Sequence, residues 1–551
     1  MVDLTSLIRK FTLFDLYKHQ KANAGSILGK LIASDPSVKK NIPQVMNAIE
    51  KTIKEIQKLP AAAIEQELTR DYPELLEKKE EKERTLPPLA NVHGKVVMRF
   101  APYPSGPLHI GNARPAVLND AYVKQYNGTF LLVMDDTIGS EEKNITAEAY
   151  DLIPESLTWL GVHYDPQILY KSDRLQLYYD HAERLIKKDK AYICFCSSEI
   201  LRANRAAGKE CACRNASVAQ TLKLWKEMFT AIEGSCSLRI KTSLQDKNPA
   251  FRDRVIFRIS DREHPRVKKK YRVWPLLDFS WAVDDHLLGI THILRGKDLM
   301  IESDMERYIW NIFGWPEREI IHTGLFQVEG AKISKSKSKQ EVLSGQYTGW
   351  DDPRTWSFQA LRRRGILPEA LRTFCLNLGV TQTEITVPIE ALYSENKKII
   401  EKTANRYFFV EHPQKIVIKK APALTAQLPL HPDFKDRGTR TLKTTDTFYI
   451  QDDLETGKAY RLMHLFNFKD MTYLSQDIDE KLQARMIHWL PAVDNTPSVE
   501  ILMPDGTWKK GMGEPTLTNV KEHDVIQFER FGFCRLDKKT KEKMTFWFTH
   551  R

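Results

Sequence analysis

The 551-residue chain reads as a multidomain α/β protein: a doubly wound, Rossmann-like parallel sheet with a helical region before it and an all-β region after it. Three observations predict this. A single hydrophobic core stops growing at roughly 250–300 residues, so a chain of this length divides into several domains. From Lys95 the pattern becomes strand, loop, helix, strand. Val96-Val97-Met98-Arg99-Phe100-Ala101 is a short, nearly continuous apolar run. A Pro/Gly-rich loop, a helical stretch from about Ile110 to Tyr126 and a second apolar run, Phe130–Met134, follow it. That is the grammar of buried parallel strands joined by a crossover helix. From about residue 405 short β-rich runs take over (Lys415–Lys419, Thr447–Ile450, Val525–Phe528, Met544–Phe548). Turn signals such as Pro504-Asp505-Gly506 separate them, as in a barrel-type module.

The remaining elements follow in order. Residues 1–85 place Leu7, Phe11, Phe14 and Leu16, then Ile42, Val45, Ile49, Ile53 and Ile56, at helical spacing. A charge run, Glu77–Arg84, and Pro87-Pro88 end this region near residue 93. Beyond the first βαβ unit, Val283–Leu294 and Ile320–Ile321 are strand candidates. Pro115 is tolerated in a first helical turn if the helix starts near Asn112.

Composition narrows the function classes. Hydrophobic residues are 42% and charged residues 28% of the chain, and no apolar run approaches the ~20 residues of a membrane span. The first residues mix charged and apolar side chains, unlike a secretory leader. We expect a cytoplasmic protein without a membrane partner. Seven cysteines, an odd number without a disulfide framework, fit a reducing compartment, with Cys236, Cys375 and Cys534 as core thiols. A net charge of +11 suits a polyanionic partner, although charge alone does not require one.

Three segments carry chemistry. Ala101-Pro102-Tyr103-Pro104-Ser105-Gly106-Pro107-Leu108-His109-Ile110-Gly111-Asn112-Ala113-Arg114 lies where a strand hands over to a helix, a junction whose unpaired N–H groups attract anions. His109 and Asn112 can donate to a triphosphate, and Gly111 lets a flat base approach the backbone. Lys332-Ile333-Ser334-Lys335-Ser336 follows Glu329-Gly330; lysines on such a loop can track charge moving onto a leaving pyrophosphate. Each alone reads first as an ordinary turn or a solvated loop. Cys194-Phe195-Cys196 and Cys211-Ala212-Cys213 can close a tetrahedral zinc site; reduced, unliganded thiols are the weaker alternative. Four protein ligands leave no open position, which makes such a zinc structural. Arg252, Arg254, Arg258, Arg266, Lys268–Lys270 and Arg362–Arg364 are candidates for RNA contact.

In this order and spacing, the first two segments resemble the paired signatures of class I aminoacyl-tRNA synthetases. Met98–Gly111, Asp135-Asp136-Thr137, Val283–Lys297 and Arg362–Ala370 look like glutamyl-tRNA synthetase of the archaeal/eukaryotic type. The resemblance implies ATP- and Mg2+-dependent activation of L-glutamate to glutamyl-adenylate and its transfer to the 3′ end of tRNA(Glu), with tRNA(Gln) left open. It implies that Pro102, His109, Gly111, Asn112, Lys332, Ser334 and Lys335 bind ATP, with His109, Asn112, Lys332 and Lys335 catalytic. Arg99, Asp135 and Arg295 would hold glutamate, and Cys194, Cys196, Cys211 and Cys213 a structural Zn2+. The implied organisation is a helical region (1–93), two catalytic halves (94–190 and 271–330) around an acceptor-binding insertion (191–270), a lysine loop with a stem-contact region (331–404), and an anticodon-binding barrel (405–551), all in a monomer. The sequence departs from the family at Tyr103, at Asn112 (usually histidine), at Val133-Met134 (usually arginine and an aromatic), and at Ile138-Gly139. Glutaminyl-tRNA synthetase and a weakened, tRNA-binding paralog are the alternatives.

Overall fold

The structure is a computed structural model and describes residues 4–19, 22–34, 38, 41–75, 86–140, 144–329, 335–540 and 543–551. It contains two compact units, residues 1–83 and 84–551.

The first unit is helical, as its apolar spacing predicts: α1 (Leu4–His19), α2 (Ala24–Ser34), α3 (Ile42–Ile56) and α4 (Ala61–Asp71). Val45, Ile49 and Ile56 lie on one face of α3. The first two join Ile8, Ile27 and Leu31 in one core, while Ile56 joins Leu13, Ile64 and Leu68 in a second. Each such side chain, once buried, contributes roughly 1.5–3 kcal/mol. Arg9 grips Glu67 with two hydrogen bonds, pinning α1 to α4.

The second unit opens with β1 (Val97–Phe100), α5 (Ile110–Gln125), β2 (Thr129–Met134), α6 (Ala149–Trp159) and β3 (Leu169–Tyr170). β1 pairs in parallel with β2, and β2 with β3. After α7 (Leu175–Lys187) the chain forms an antiparallel sheet of β4 (Ala191–Cys194), β5 (Ser237–Ile240), β6 (Val255–Ile259) and β7 (Val273–Pro275). The helices α8 (Ser198–Ala207) and α9 (Val218–Met228) sit between its first two strands. The chain then returns through α10 (Leu277–Leu287), β8 (His292–Gly296), α11 (Met300–Phe313) and β9 (Glu319–Thr323), with β8 and β9 parallel. Thr291 N donates to Val97 O at 2.9 Å, docking β8 beside β1. The parallel strands therefore run β9-β8-β1-β2-β3, and the order reverses between β8 and β1. Ligands of such sheets bind outside the carboxyl ends at that reversal.

Two expectations need correction here. Val283–Leu287 is the end of α10, not a strand: Phe279 to Asp285 are buried all round, and a helix buried on every side leaves no amphipathic period to distinguish it from a buried strand. The helix α5 starts at Ile110, which puts Pro115 in its second turn rather than its first.

Beyond β9, β10 (Phe326–Glu329) pairs in parallel with β11 (Ile385–Pro388). The helices α12 (Lys335–Leu343), α13 (Phe358–Arg363) and α14 (Pro368–Leu378) lie between them in sequence, and α15 (Glu390–Ile400) follows. The remainder is all-β, as expected. Its largest sheet has seven strands, and its two edge strands, Arg406–Tyr407 and Phe409–Glu411, are separated in the chain only by Phe408, so the sheet curls nearly closed. This region holds two cores, one around Phe448, Phe466 and Trp489 and one around Ile501, Phe528 and Phe546.

Candidate active site at the carboxyl edge of the sheet

Arg99 on β1 and Arg295 on β8 reach the same place from neighbouring strands. Both are buried, and their guanidinium groups lie over one indole, that of Trp281, at 4.9 and 4.7 Å from its centre. Arg99 donates through Nε and Nη2 to the two carboxylate oxygens of Asp285, at 2.8 and 2.7 Å. Arg295 donates through Nη1 and Nη2 to Glu306, at 2.7 and 2.9 Å. Paired forks of this kind are geometrically rigid. Among the described residues, Arg295 Nε and Trp281 Nε1 are buried without a hydrogen-bond partner. Burial pushes the Glu306 carboxyl up against the pull of Arg295.

Asp135 follows β2 directly, and its amide N donates to Pro102 O at 3.1 Å. Its Oδ1 lies 3.0 Å from Lys171 Nζ as an ion pair but has no aligned hydrogen bond. The next residue, Asp136, is wholly buried and accepts from Ser172 N, Ser172 Oγ and Tyr150 Oη. Burial raises the Tyr103 phenol, which faces Asp135 and Asp136.

The start of α5 differs from the open anion site expected of the sequence: the backbone N–H groups of Ile110, Gly111 and Asn112 are already bonded, to Trp356 O, His109 Nδ1 and His109 O. His109 is the N-cap: its Nδ1 accepts from Gly111 N at 3.0 Å while Asn112 Oδ1 accepts from His109 N at 3.2 Å. The capping bond keeps Nδ1 unprotonated, so the imidazole proton sits on Nε2, and Asn112 keeps its amide donors. Ile110 N donates to Trp356 O and Phe358 N to Leu108 O, clamping the loop between β1 and α5. Arg114, fully buried, ties α5 to the carbonyls of Gly324 and Gly379. Lys332 and Ser334 lie outside the described residues, and Lys335 opens α12.

The departures have structural counterparts. Val133, Met134 and Ile138 are core residues. A Cβ on Gly139 would sit 2.9 Å from Leu276 and 3.2 Å from the carbonyls of Trp274 and Pro275, so this segment packs directly against the β7–α10 junction.

The four cysteines come together: Cys194 ends β4, Cys211 and Cys213 follow α8, and their sulfurs with that of Cys196 all lie within 4.8 Å of one another. A tetrahedral zinc with bonds of about 2.3 Å separates its sulfurs by about 3.8 Å, and Cys194 Sγ to Cys211 Sγ is 3.7 Å. Arg239 Nη1 faces both of those sulfurs, at 3.6 and 3.9 Å. Burial pushes the Cys194 thiol up to about 12 and raises Cys196; on Cys211 burial acts the same way, but its hydrogen-bond contacts with Cys194, Tyr192 and Cys196 outweigh it and draw that thiol down. The donor set fits a dication that would offset this cost. Cys236, Cys375 and Cys534 are buried and single, as expected.

The basic candidates need revision. Arg254 is paired with Asp278 and Glu302, Arg266 with Asp173 while stacked 3.6 Å over Tyr170, and Arg252 donates to backbone carbonyls. Arg363 bridges Asp351 and Asp537, and Arg364 is buried against Trp356 and Tyr393. These guanidinium groups join elements of the unit to one another; Arg362, beside Glu155, stays exposed. Sequence reasoning passed over Lys171, Ser280, Trp281 and Glu306. Only the acidic Asp284-Asp285 pair at the end of an apolar run hinted at Arg99's partner.

A Rossmann-type sheet with a polar cluster at the strand reversal and a capped helix start beside it defines an α/β ligand-binding core of the nucleotide-binding kind. The family model for the catalytic domain of class I tRNA synthetases (E and Q) matches residues 95–402, and two models for the anti-codon binding domain of the same group match 404–486 and 486–537. The chain belongs to this E and Q family of class I tRNA synthetases. It is 41% identical to a glutamate–tRNA ligase of Methanococcus maripaludis, and that alignment covers 96% of this chain and 97% of the relative. It is 42% identical to the glutamate–tRNA ligase of Methanocaldococcus jannaschii with the same coverage, and 39% identical to that of Methanothermobacter thermautotrophicus over the whole of both chains.

Proposed function

We propose that this chain is a glutamate–tRNA ligase that activates L-glutamate with ATP and Mg2+ and transfers the glutamyl group to the 3′ end of tRNA(Glu). The observation that carries this reading is the pair of buried arginines on adjacent strands, Arg99 and Arg295, over one indole with Asp135 beside them. Arg99 Nη1 and Arg295 Nε are the donors left over after each fork has gripped a protein carboxylate, and they suit an incoming carboxylate. Asp135 suits the substrate ammonium. The names of the relatives support glutamate; the glutaminyl and paralog alternatives, and charging of tRNA(Gln), have no finding behind them.

In this reading His109 Nε2–H and the Asn112 side-chain amide donate to the ATP phosphates at the start of α5, while Pro102 and Gly111 line the site and let the base lie close to the backbone. Lys332, Ser334 and Lys335 follow the charge onto pyrophosphate. Little covalent chemistry falls to the protein: catalysis rests on holding the glutamate α-carboxylate in line with the α-phosphate and on stabilising charge. The four cysteines hold a structural zinc that shapes the insertion, residues 191–270, against the tRNA acceptor end, and residues 405–551 meet the anticodon. The domain limits follow those breaks. All the assigned groups come from one chain, so a monomer suffices; the free cysteines and the lack of any described helix able to span a membrane suit a cytoplasmic enzyme.

Charging of tRNA(Glu) and tRNA(Gln) transcripts with labelled glutamate and glutamine tests the proposal. Glutamate charging of tRNA(Glu) is expected; charging with glutamine alone, or none from folded protein, refutes it.

A further inference from the structure

Lys171 is fully buried beside the arginine pair: its relative exposure is 0%, the same as that of Glu306. It follows β3 directly, in the position that pairs next with Asp135 after the Val133–Leu169 and Met134–Tyr170 register. Its Nζ lies 3.0 Å from Asp135 Oδ1, donates to Ser280 Oγ at 2.9 Å, and sits 5.1 Å from the centre of the Trp281 ring. That ring already carries Arg99 and Arg295, so three cations from β1, β3 and β8 converge on one indole.

The charges around this ring balance. Asp135, Asp285 and Glu306 face Arg99, Arg295 and Lys171. Without the lysine the cluster carries one net negative charge in a buried setting, where charge is poorly screened. Free glutamate also carries one net negative charge; glutamine carries none. A negative cluster would therefore repel the acid and leave the amide almost unaffected.

We infer that Lys171 is a specificity-determining residue for the amino acid: its ammonium cancels the excess carboxylate charge of the pocket and so raises the affinity for glutamate while leaving that for glutamine almost unchanged. It also aims Asp135. The ion pair leaves Asp135 Oδ1 without an aligned hydrogen bond, ready for the donor that the substrate ammonium supplies. Ser280 holds the lysine at the end of this arrangement. This inference rests on the ligase reading above and adds to it the device that selects the side chain.

The test is steady-state charging by the full chain with Lys171→Met, Lys171→Arg and Ser280→Ala. Loss of one charge at close range in a partly screened site predicts a rise in the KM for glutamate on the order of 30–100-fold for Lys171→Met. The KM values for ATP and tRNA should stay within about threefold, which is near the scatter expected of uncoupled sites. The kcat/KM ratio of glutamate to glutamine should fall by the same factor as the glutamate KM rises, and Lys171→Arg should recover much of the loss. Ser280→Ala keeps the charge and is the variant to read if Lys171→Met does not fold: a several-fold rise in the glutamate KM with ATP unmoved is expected. Equal losses for glutamate and glutamine, equal losses for glutamate and ATP, or an unmoved glutamate KM in folded variants each overturn the inference. Failure of the wild-type chain to charge glutamate strikes the ligase reading instead, since the inference concerns only the selectivity of an active enzyme.

Discussion

The arginine pocket and the cysteine cluster solve the same problem, buried charge, in opposite ways. Around Trp281 every cation meets a carboxylate of its own chain, so the site is electrically complete before a ligand arrives. In the cysteine cluster four thiols gather with one guanidinium, that of Arg239, facing only Cys194 and Cys211, so four thiolates would need a bound dication to balance them. The first site is held by pairs that the fold makes; the second has the donor set of a site that a metal would hold. A buried pair costs most when half of it is removed, whereas a metal cluster costs most when the metal leaves.

The largest effect should come from stripping the metal. We expect about one zinc per chain, tetrahedrally bound, and a strong chelator should abolish the ordered structure of the insertion while leaving the residue 405–551 module folded. Zinc analysis together with limited proteolysis or hydrogen exchange reads this out, and unaltered protection after chelation would remove the zinc from the account. Next is Asp285→Ala, which leaves Arg99 buried and unpaired: a loss of about 3–5 kcal/mol in denaturant unfolding is expected. A loss below about 1 kcal/mol, the scale of an exposed pair, would mean that the pocket is wetter than its burial implies. Arg239→Met should weaken zinc by about 10–100-fold, as outer-sphere partners do, measured by competition with a chromophoric chelator. Metal affinity equal to wild type would break the contrast from the cluster side. The smallest effect is Ser197→Ala. Ser197 caps α8, which spans the gap between the two cysteine pairs, and its loss should cost about 1 kcal/mol. Thermal unfolding should register that cost in the metal-free protein and mask it when metal clamps both ends of the helix.

Much of this was legible in the chain because it was local. β1 and β2 appear within a residue or so of the apolar runs that announce them, and Thr447–Ile450 and Val525–Phe528 are strands with those limits. Asp505 and Gly506 form the expected turn, with Gly506 at φ +87°. The cysteine pairs were legible because short spacing limits what four thiols can do. Less was visible where partners lie far apart in sequence. Glu306 meets Arg295 across an intervening turn and half a helix, Asp285 meets Arg99 from 186 residues away, and no local pattern marks either. Arg363 and Arg364 read as part of a basic, RNA-facing run, yet Asp537 and the carbonyl of Thr549 claim them. Two cores in the β region likewise read as one module, because strand alternation shows which side faces inward without showing which interior it faces.

By itself, then, the sequence determined the alternation of strand and helix, the capped helix start with its glycine, and the grouping of cysteines, all settled by interactions within a few residues. The tertiary structure alone decided which charges cancel. Coulombic pairing depends on distance through space and on exclusion of water, and only the strand order β9-β8-β1-β2-β3, with Trp281 beneath its reversal, brings Arg99, Lys171 and Arg295 together with Asp135, Asp285 and Glu306.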